Sequence, residues 1–417
     1  MTQHLSSGQF RIDQDWVLKL LHWTDSNYAY VAYFYSHDIS YPYDGFKHQL
    51  FAAQSSISLS QASALPQHQR VGIVSYDQKN SYEKLASENP APINCPESEF
   101  FIPEFQVIFD GDLATIIHPN AQQIFSEIQN FELEVLPHIV THPTVHSLLN
   151  KEAYFNTFHK IQEHILEGDL YEMNYCMGFE GTFEKMDAIG FYLRLCEKSP
   201  MPFSTFFKAK NKLVLGASPE RFLKKTGNKL IAQPIKGSVK RGNTPAEDDA
   251  LTAHLRSSEK EKAENLMIVD LMRNDLAKLA QPGKIVVEEL FGIYQFRQIT
   301  QMISTVSCEM KPDISLEEVF RQTFPMGSMT GAPKIKSMEL IDHYENFKRG
   351  WFSGSIGYVD EKGDFDWNVI IRSVIVDREE KKFYFAVGSA ITSDADAVQE
   401  YEECQLKAQA IFATLLD

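Results

Sequence analysis

From Lys151 to Glu167 apolar residues recur at helical spacing through Phe155, Phe158, Ile161, Ile165 and Leu166, and Gly168 follows as a stop signal. The period then drops to two. Tyr171, Met173, Tyr175, Met177 and Phe179 fall on one face, with Glu172 and Asn174 on the other, which predicts a half-buried strand presenting a polar pair to a cleft. Lys212 to Lys225 alternates as a strand, Thr226-Gly227-Asn228 marks a turn, and Lys229 to Ile235 returns, so a hairpin is expected. With the turn centred on Gly227, positions 218, 220, 234 and 236 share one face and Glu220 and Lys236 reach one small ligand; a slip of one residue would turn only one of them inward. Helices are predicted from Ser258 to Ala280 and from about Ala397 to Leu416, strands from Gly354 to Val387, a glycine-rich loop over Phe324 to Lys334, and mixed structure over Ile285 to Met310. Strands in runs, with helices between the runs, indicate an α+β fold rather than a regular βαβ one.

The part before about Val145 is rich in aromatic and small polar residues, as in Tyr28 to Phe34. The proline-rich stretch Asn89 to Pro96 reads as a loop. A second joint runs from Pro137 to His146, where His138, His142 and His146 recur at i, i+4 spacing. Pro143 interrupts any helix that would align them for a metal, so a linker is the preferred reading. The expected division is therefore 1–146, an N-terminal part with its linker, and 147–417, a catalytic domain.

Composition narrows the chemistry. A chain of 417 residues, 43% hydrophobic, can bury one large core or two moderate ones, and a formal charge of −16 argues against nucleic acid or an anionic membrane surface as partner. The five cysteines are scattered and lack CxxC spacing, which points to reduced thiols. With no signal-like start and no membrane-length apolar run, a soluble cytoplasmic protein is expected.

Two helices carry matched carboxylates: Glu261 and Glu264 on one, Glu400 and Glu403 on the other, each pair at i, i+3. Glu264 continues the stripe of Ile268 and Leu271, and Glu400 that of Cys404, Ala408 and Ile411. Carboxylates aimed toward a core need a partner or a cation, and a hard divalent ion such as Mg2+ takes oxygen ligands. Taken singly, each has a plainer explanation: Ser258 with Glu261 fits a capping box, and Glu403 with Lys407 a solvated i, i+4 pair. Their recurrence beside the Lys236 hairpin favours the metal.

These residues resemble the chorismate-binding enzymes over roughly two thirds of the chain, from about Ser147 onward. The matching blocks are Gly168-Asp169-Leu170-Tyr171, Ser218-Pro219-Glu220-Arg221-Phe222, Pro234-Ile235-Lys236-Gly237, Glu264 to Leu276, Phe324 to Lys334, Gly354 to Tyr358, Ile371-Arg372 and Glu400 to Glu403. The resemblance implies a layered sandwich of two facing, mainly antiparallel sheets flanked by helices, with chorismate and Mg2+ between them. It implies that Glu261, Glu264, Glu400 and Glu403 hold the ion and that Glu220 is the general acid for the departing ring hydroxyl. Arg372 would clamp the enolpyruvyl carboxylate, and Ser328, Thr330, Gly237 and the backbone of Gly388, Ser389 and Ala390 would bind substrate. Lys236 in place of a small residue is similar to the branch that aminates chorismate at C4 to 4-amino-4-deoxychorismate, for 4-aminobenzoate and folate synthesis. In that reading the lysine, neutral through burial, attacks C2, and ammonia from a separate glutaminase subunit replaces it at C4. Anthranilate formation is the alternative; isochorismate or salicylate formation and a non-catalytic subunit stand behind it.

The departures are specific. Glu172 stands where water-using relatives carry a lysine and ammonia users commonly a glutamine, which argues against the water branch. Gln301 replaces a histidine, making pyruvate elimination less plausible, and Phe352 a tyrosine. Ala390 and Ala397 replace glycine and proline, and the N-terminal part lacks a Leu-Leu-Glu-Ser block, so feedback inhibition is not expected.

Overall fold

In the computed structural model, which describes residues 7–134, 138–297 and 299–417, alternation along the strands sorts side chains into two cores. On Tyr30–Tyr35, the side chains of Tyr30, Ala32 and Phe34 enter one core and those of Val31 and Tyr33 the other. Among the described residues the strands form a 12-stranded and a 9-stranded sheet, with antiparallel pairing throughout, beside a small two-stranded one. The first core lies between the sheets. The second fills the space between the larger sheet and the helices Gln14–Asn27, Lys151–Glu167, Ala188–Lys198 and Ala397–Leu415. This is the α+β layered sandwich expected from the motifs. N-terminal strands extend both sheets: Tyr30–Tyr35 pairs with Phe203–Ala209, and Arg70–Val74 with Ser355–Val359.

Element positions follow the patterns closely where the periodicity is long. The helix Lys151–Glu167 starts at an Asn150 cap and ends at Gly168, whose φ of 86° makes the left-handed stop. The helix Glu259–Leu279 begins with the Ser258 hydroxyl accepting from the Glu261 N–H. Its buried stripe runs from Glu264 through Ile268, Met272 and Leu276.

Elsewhere the structure differs. The helix Pro245–Ser257 was not foreseen. Ile285 to Met310 belongs to a long hairpin of Ala280–Gln295 and Ile299–Met310. Glu172–Thr182 is buried on both faces, not one, because a sheet covers one side and helices the other, while Tyr171 lies outside the strand and is exposed. The expected linker contributes the short strands Val140–Thr141 and Thr144–Ser147, with His146 paired to Glu180 at 3.0 Å; Pro137 lies outside the described residues. His138, His142 and His146 do not gather as metal ligands among the described residues. All five cysteines are free thiols, and no described helix is long and apolar enough to cross a membrane.

Candidate active site

The predicted hairpin exists only in part. Lys212–Ser218 belongs to the larger sheet and Arg221–Thr226 to the smaller one, so Pro219-Glu220 is a crossover between sheets. The true turn pairs Thr226 with Lys229, a register one residue away from the expected one. Continued along the strands, it would set Glu220 opposite Ile235 and turn Lys236 away. A bulge restores the lysine. Ile235 pairs with Ile303 but Ser238 pairs with Gln301, and the extra residue falls at Lys236-Gly237, with Gly237 at φ 86°. Gly237 is needed for space as well, since a Cβ there would lie 2.8 Å from Glu261 Oε2.

Glu220 and Lys236 thus open into one cavity of about 160 Å³ between the sheets, room for a six-membered ring. Glu261, Glu264, Glu400 and Glu403 line it with Arg372, Ser328, Gly237, Gly388 and Ala390. Two expected residues do not. Thr330 is fully buried, and its hydroxyl donates back to the Met326 and Gly327 carbonyls, tying the glycine-rich loop to itself. Ser389 faces the opposite side of its strand, where its hydroxyl meets that of Tyr154 at 3.2 Å, as strand alternation requires. One edge of Gly388 to Ala390 nevertheless lacks a strand partner, because the strand Ser373–Asp377 pairs with Lys382–Ile391 only as far as Tyr384, and the Gly388 carbonyl accepts from Lys407 at 2.9 Å.

Asn174, Lys260, Gln301 and Lys407 also line the cavity and were not anticipated as site residues. Asn174 and Gln301 were visible as a polar face and a motif departure. Lys260 and Lys407 had no signal beyond a charged neighbour on their own helix.

Charge is concentrated here. Burial raises the Glu220 carboxyl to about 7, against Ser328 and Lys236, which pull it down. Ser328 itself makes no hydrogen bond of good geometry, and Gln301 Oε1 and Glu172 Oε2 are likewise buried without a partner. Such a cluster of unmet polar atoms marks a site built for a polar ligand. Burial also raises Glu264 to about 7 and, helped by Glu403, displaces Glu261 and Glu400 upward. Glu403 moves down because the Lys407 ammonium lies 2.7 Å away. Lys260 reaches Glu400 at 3.2 Å and Glu264 at 3.9 Å;. The donor set, four carboxylates of which three are penalised for their charge where they stand, fits a hard divalent cation.

The Arg372 guanidinium, at a residue of φ 49°, has no ion-pair partner among the described residues, and burial lowers its pKa. A positive fork in this position suits a carboxylate.

Lys236 departs from expectation. Burial alone would free its proton, but the Glu172 carboxylate, with Nζ to Oε1 at 2.5 Å, and then Glu264 and Glu220 outweigh burial and raise its pKa. Opposite charges on facing sheets hold the resting amine as an ammonium.

The walls are fixed by Arg349, which is 1% exposed. Its guanidinium donates to the carbonyls of Met329 (2.6 Å) and Asn174 (3.0 Å) and to Glu345 (2.8 Å). Arg349→Met should destabilise the protein by about 3–5 kcal/mol, because Glu345 is left buried and unpaired. Urea unfolding measures this; a loss under about 1 kcal/mol would mean the network relaxes into water.

A model described as chorismate binding enzyme matches residues 26–413, and the chain belongs to that family. Over 365 residues it is 35% identical to the chloroplastic aminodeoxychorismate synthase of Arabidopsis thaliana, covering 82% of this chain and 39% of that protein's length. Over 350 residues it is 31% identical to aminodeoxychorismate synthase component 1 of Escherichia coli (strain K12), covering 83% of this chain and 76% of the relative. The crystal structure of anthranilate synthase component I from Streptococcus pneumoniae TIGR4 shares the fold, with a TM-score of 0.75 at 21% identity over 98% of this chain and 94% of that one. The family and the fold are those the motif blocks implied.

Proposed function

We propose that this protein converts chorismate and ammonia to 4-amino-4-deoxychorismate, as the names of its Arabidopsis thaliana and Escherichia coli relatives suggest. The observation that carries the reading is that a lysine and a carboxyl with a pKa of about 7 line the same small cavity. The amine lone pair of Lys236 bonds to ring C2, the two conjugated ring double bonds shift, and the C4–O bond breaks. Glu220 gives its proton to the departing hydroxyl, which leaves as water. Ammonia then bonds to C4, both double bonds shift back, the C2–N bond breaks, and the surplus proton returns to Glu220. Arg372 orients the substrate through a carboxylate.

Glu261, Glu264, Glu400 and Glu403 would hold Mg2+, which when bound neutralises a substrate carboxylate. Ammonia would come from a glutaminase subunit, in keeping with the designation component 1 of the Escherichia coli relative.

The test is product analysis by mass spectrometry after incubation with chorismate, ammonium and Mg2+. The expected product is 4-amino-4-deoxychorismate without pyruvate, abolished by a chelator. Anthranilate with pyruvate would overturn the reading, and an undiminished rate in chelator would remove the metal.

A further inference from the structure

The chemistry above assigns Glu172 no part, yet its carboxylate contacts the Lys236 amine directly. It lies on Glu172–Thr182 of the larger sheet, and Lys236 on Ile235–Lys240 of the smaller, so their contact spans the cleft. The Glu172 side chain is 1% exposed and that of Lys236 10%. We propose that Glu172 is the residue that takes the proton from the Lys236 ammonium to release the nucleophilic amine, and that returns it when the amine is expelled; this rests on the reading in the preceding subsection. The N–H bond of Nζ breaks, an O–H bond forms on Oε1, and the lone pair left on nitrogen bonds to carbon. On expulsion the neutral amine regains the same proton. No other reagent is required.

Three observations distinguish this from a bridge that merely joins two sheets. A buried ion pair is a weak source of stability, so its presence calls for another reason. A structural carboxylate would have both oxygens satisfied, whereas Oε2 has no partner. The backbone is also held firmly enough to aim the carboxylate. Glu172 pairs with Ala332, and Gly331 passes so close that a Cβ there would lie 2.1 Å from the Glu172 carbonyl oxygen. The neighbouring Glu264 and Glu220 also favour the ammonium. Of the groups that favour the ammonium, Glu172 is the one in direct contact with the nitrogen and so offers its proton the shortest path.

The experiment pairs two measurements on Glu172→Gln. The first is trace acetylation of Lys236 by acetic anhydride without substrate, read by peptide mass spectrometry. Loss of the carboxylate should raise the rate about tenfold or more, since one pKa unit changes the free-amine fraction tenfold. The second is steady-state amination of chorismate, where kcat should fall about 100-fold or more with KM little changed. A more reactive lysine in a slower enzyme is not the signature of a merely structural defect. Unchanged acetylation would overturn the proposal, and so would faster acetylation with undiminished kcat. If Glu172→Gln does not fold, Glu172→Asp serves, with smaller changes expected in the same two directions and either null result overturning it. Failure of the aminating function itself shows differently, as no product in the parent enzyme, while acetylation still reports on the pair.

Discussion

Lys236→Ala is expected to lower amination of chorismate by about 10³-fold or more, with KM for chorismate within a few-fold of the parent. In the proposed mechanism the amine makes and breaks the bond at C2, and substrate binding would rest on other side chains, Arg372 and the four glutamates, which line the same cavity. Truncation also leaves Glu172 buried without its partner at 2.5 Å, a defect worth about 3–5 kcal/mol. A second comparison, of Lys236→Ala/Glu172→Gln against Glu172→Gln alone, strands no charge and separates that defect from the loss of the amine. Steady-state kinetics with ammonium as the nitrogen source measures the effect. A rate within tenfold of the parent would mean that ammonia attacks without a lysine adduct.

The second large effect is that of Glu220→Gln, expected to reduce kcat by about 10²–10⁴-fold, the usual contribution of a positioned general acid. The carboxyl titrates at about 7, so it carries its proton below that pH and loses it above. The parent rate should accordingly fall as pH rises through about 7, and the variant should lack that limb. The substitution moves stability the opposite way from activity. The folded-state pKa lies above the unfolded value of 4.5, so the side chain penalises the native state progressively from pH 4.5 upward and fully beyond about 7. Glu220→Gln should then melt at a higher temperature than the parent in mildly alkaline buffer. A pH profile unchanged by the substitution would assign the proton to another group.

Much of the site was legible because its residues sit in long periodic elements. Glu264 extends the apolar stripe of a helix, as does Glu400, and a carboxylate in such a stripe stands out whatever the tertiary packing. Glu172 and Asn174 were separable from their neighbours by alternation alone. Failures came where a residue's direction depends on a local irregularity. Parity along a strand cannot reveal the bulge at Lys236-Gly237, because one inserted residue reverses every later side chain. The same blindness hid Thr330, whose hydroxyl turns back onto its own loop. Alternation turns the Ser389 side chain away from Gly388 and Ala390, which leaves Ser389 only its backbone to offer the site.

The protonation of Lys236 shows the boundary most sharply. Sequence alone determined that a lysine would be enclosed by apolar strand ends and that carboxylates would stand on two helices; local periodicity specifies both. Whether that lysine rests neutral or charged was decided only when Glu172 from the other sheet came within 2.5 Å of it. Desolvation depends on how much protein surrounds a group, which composition and pattern convey. Electrostatic compensation depends on which opposite charge arrives at contact distance, and residues 64 positions apart in the chain meet there only through the packing of two sheets.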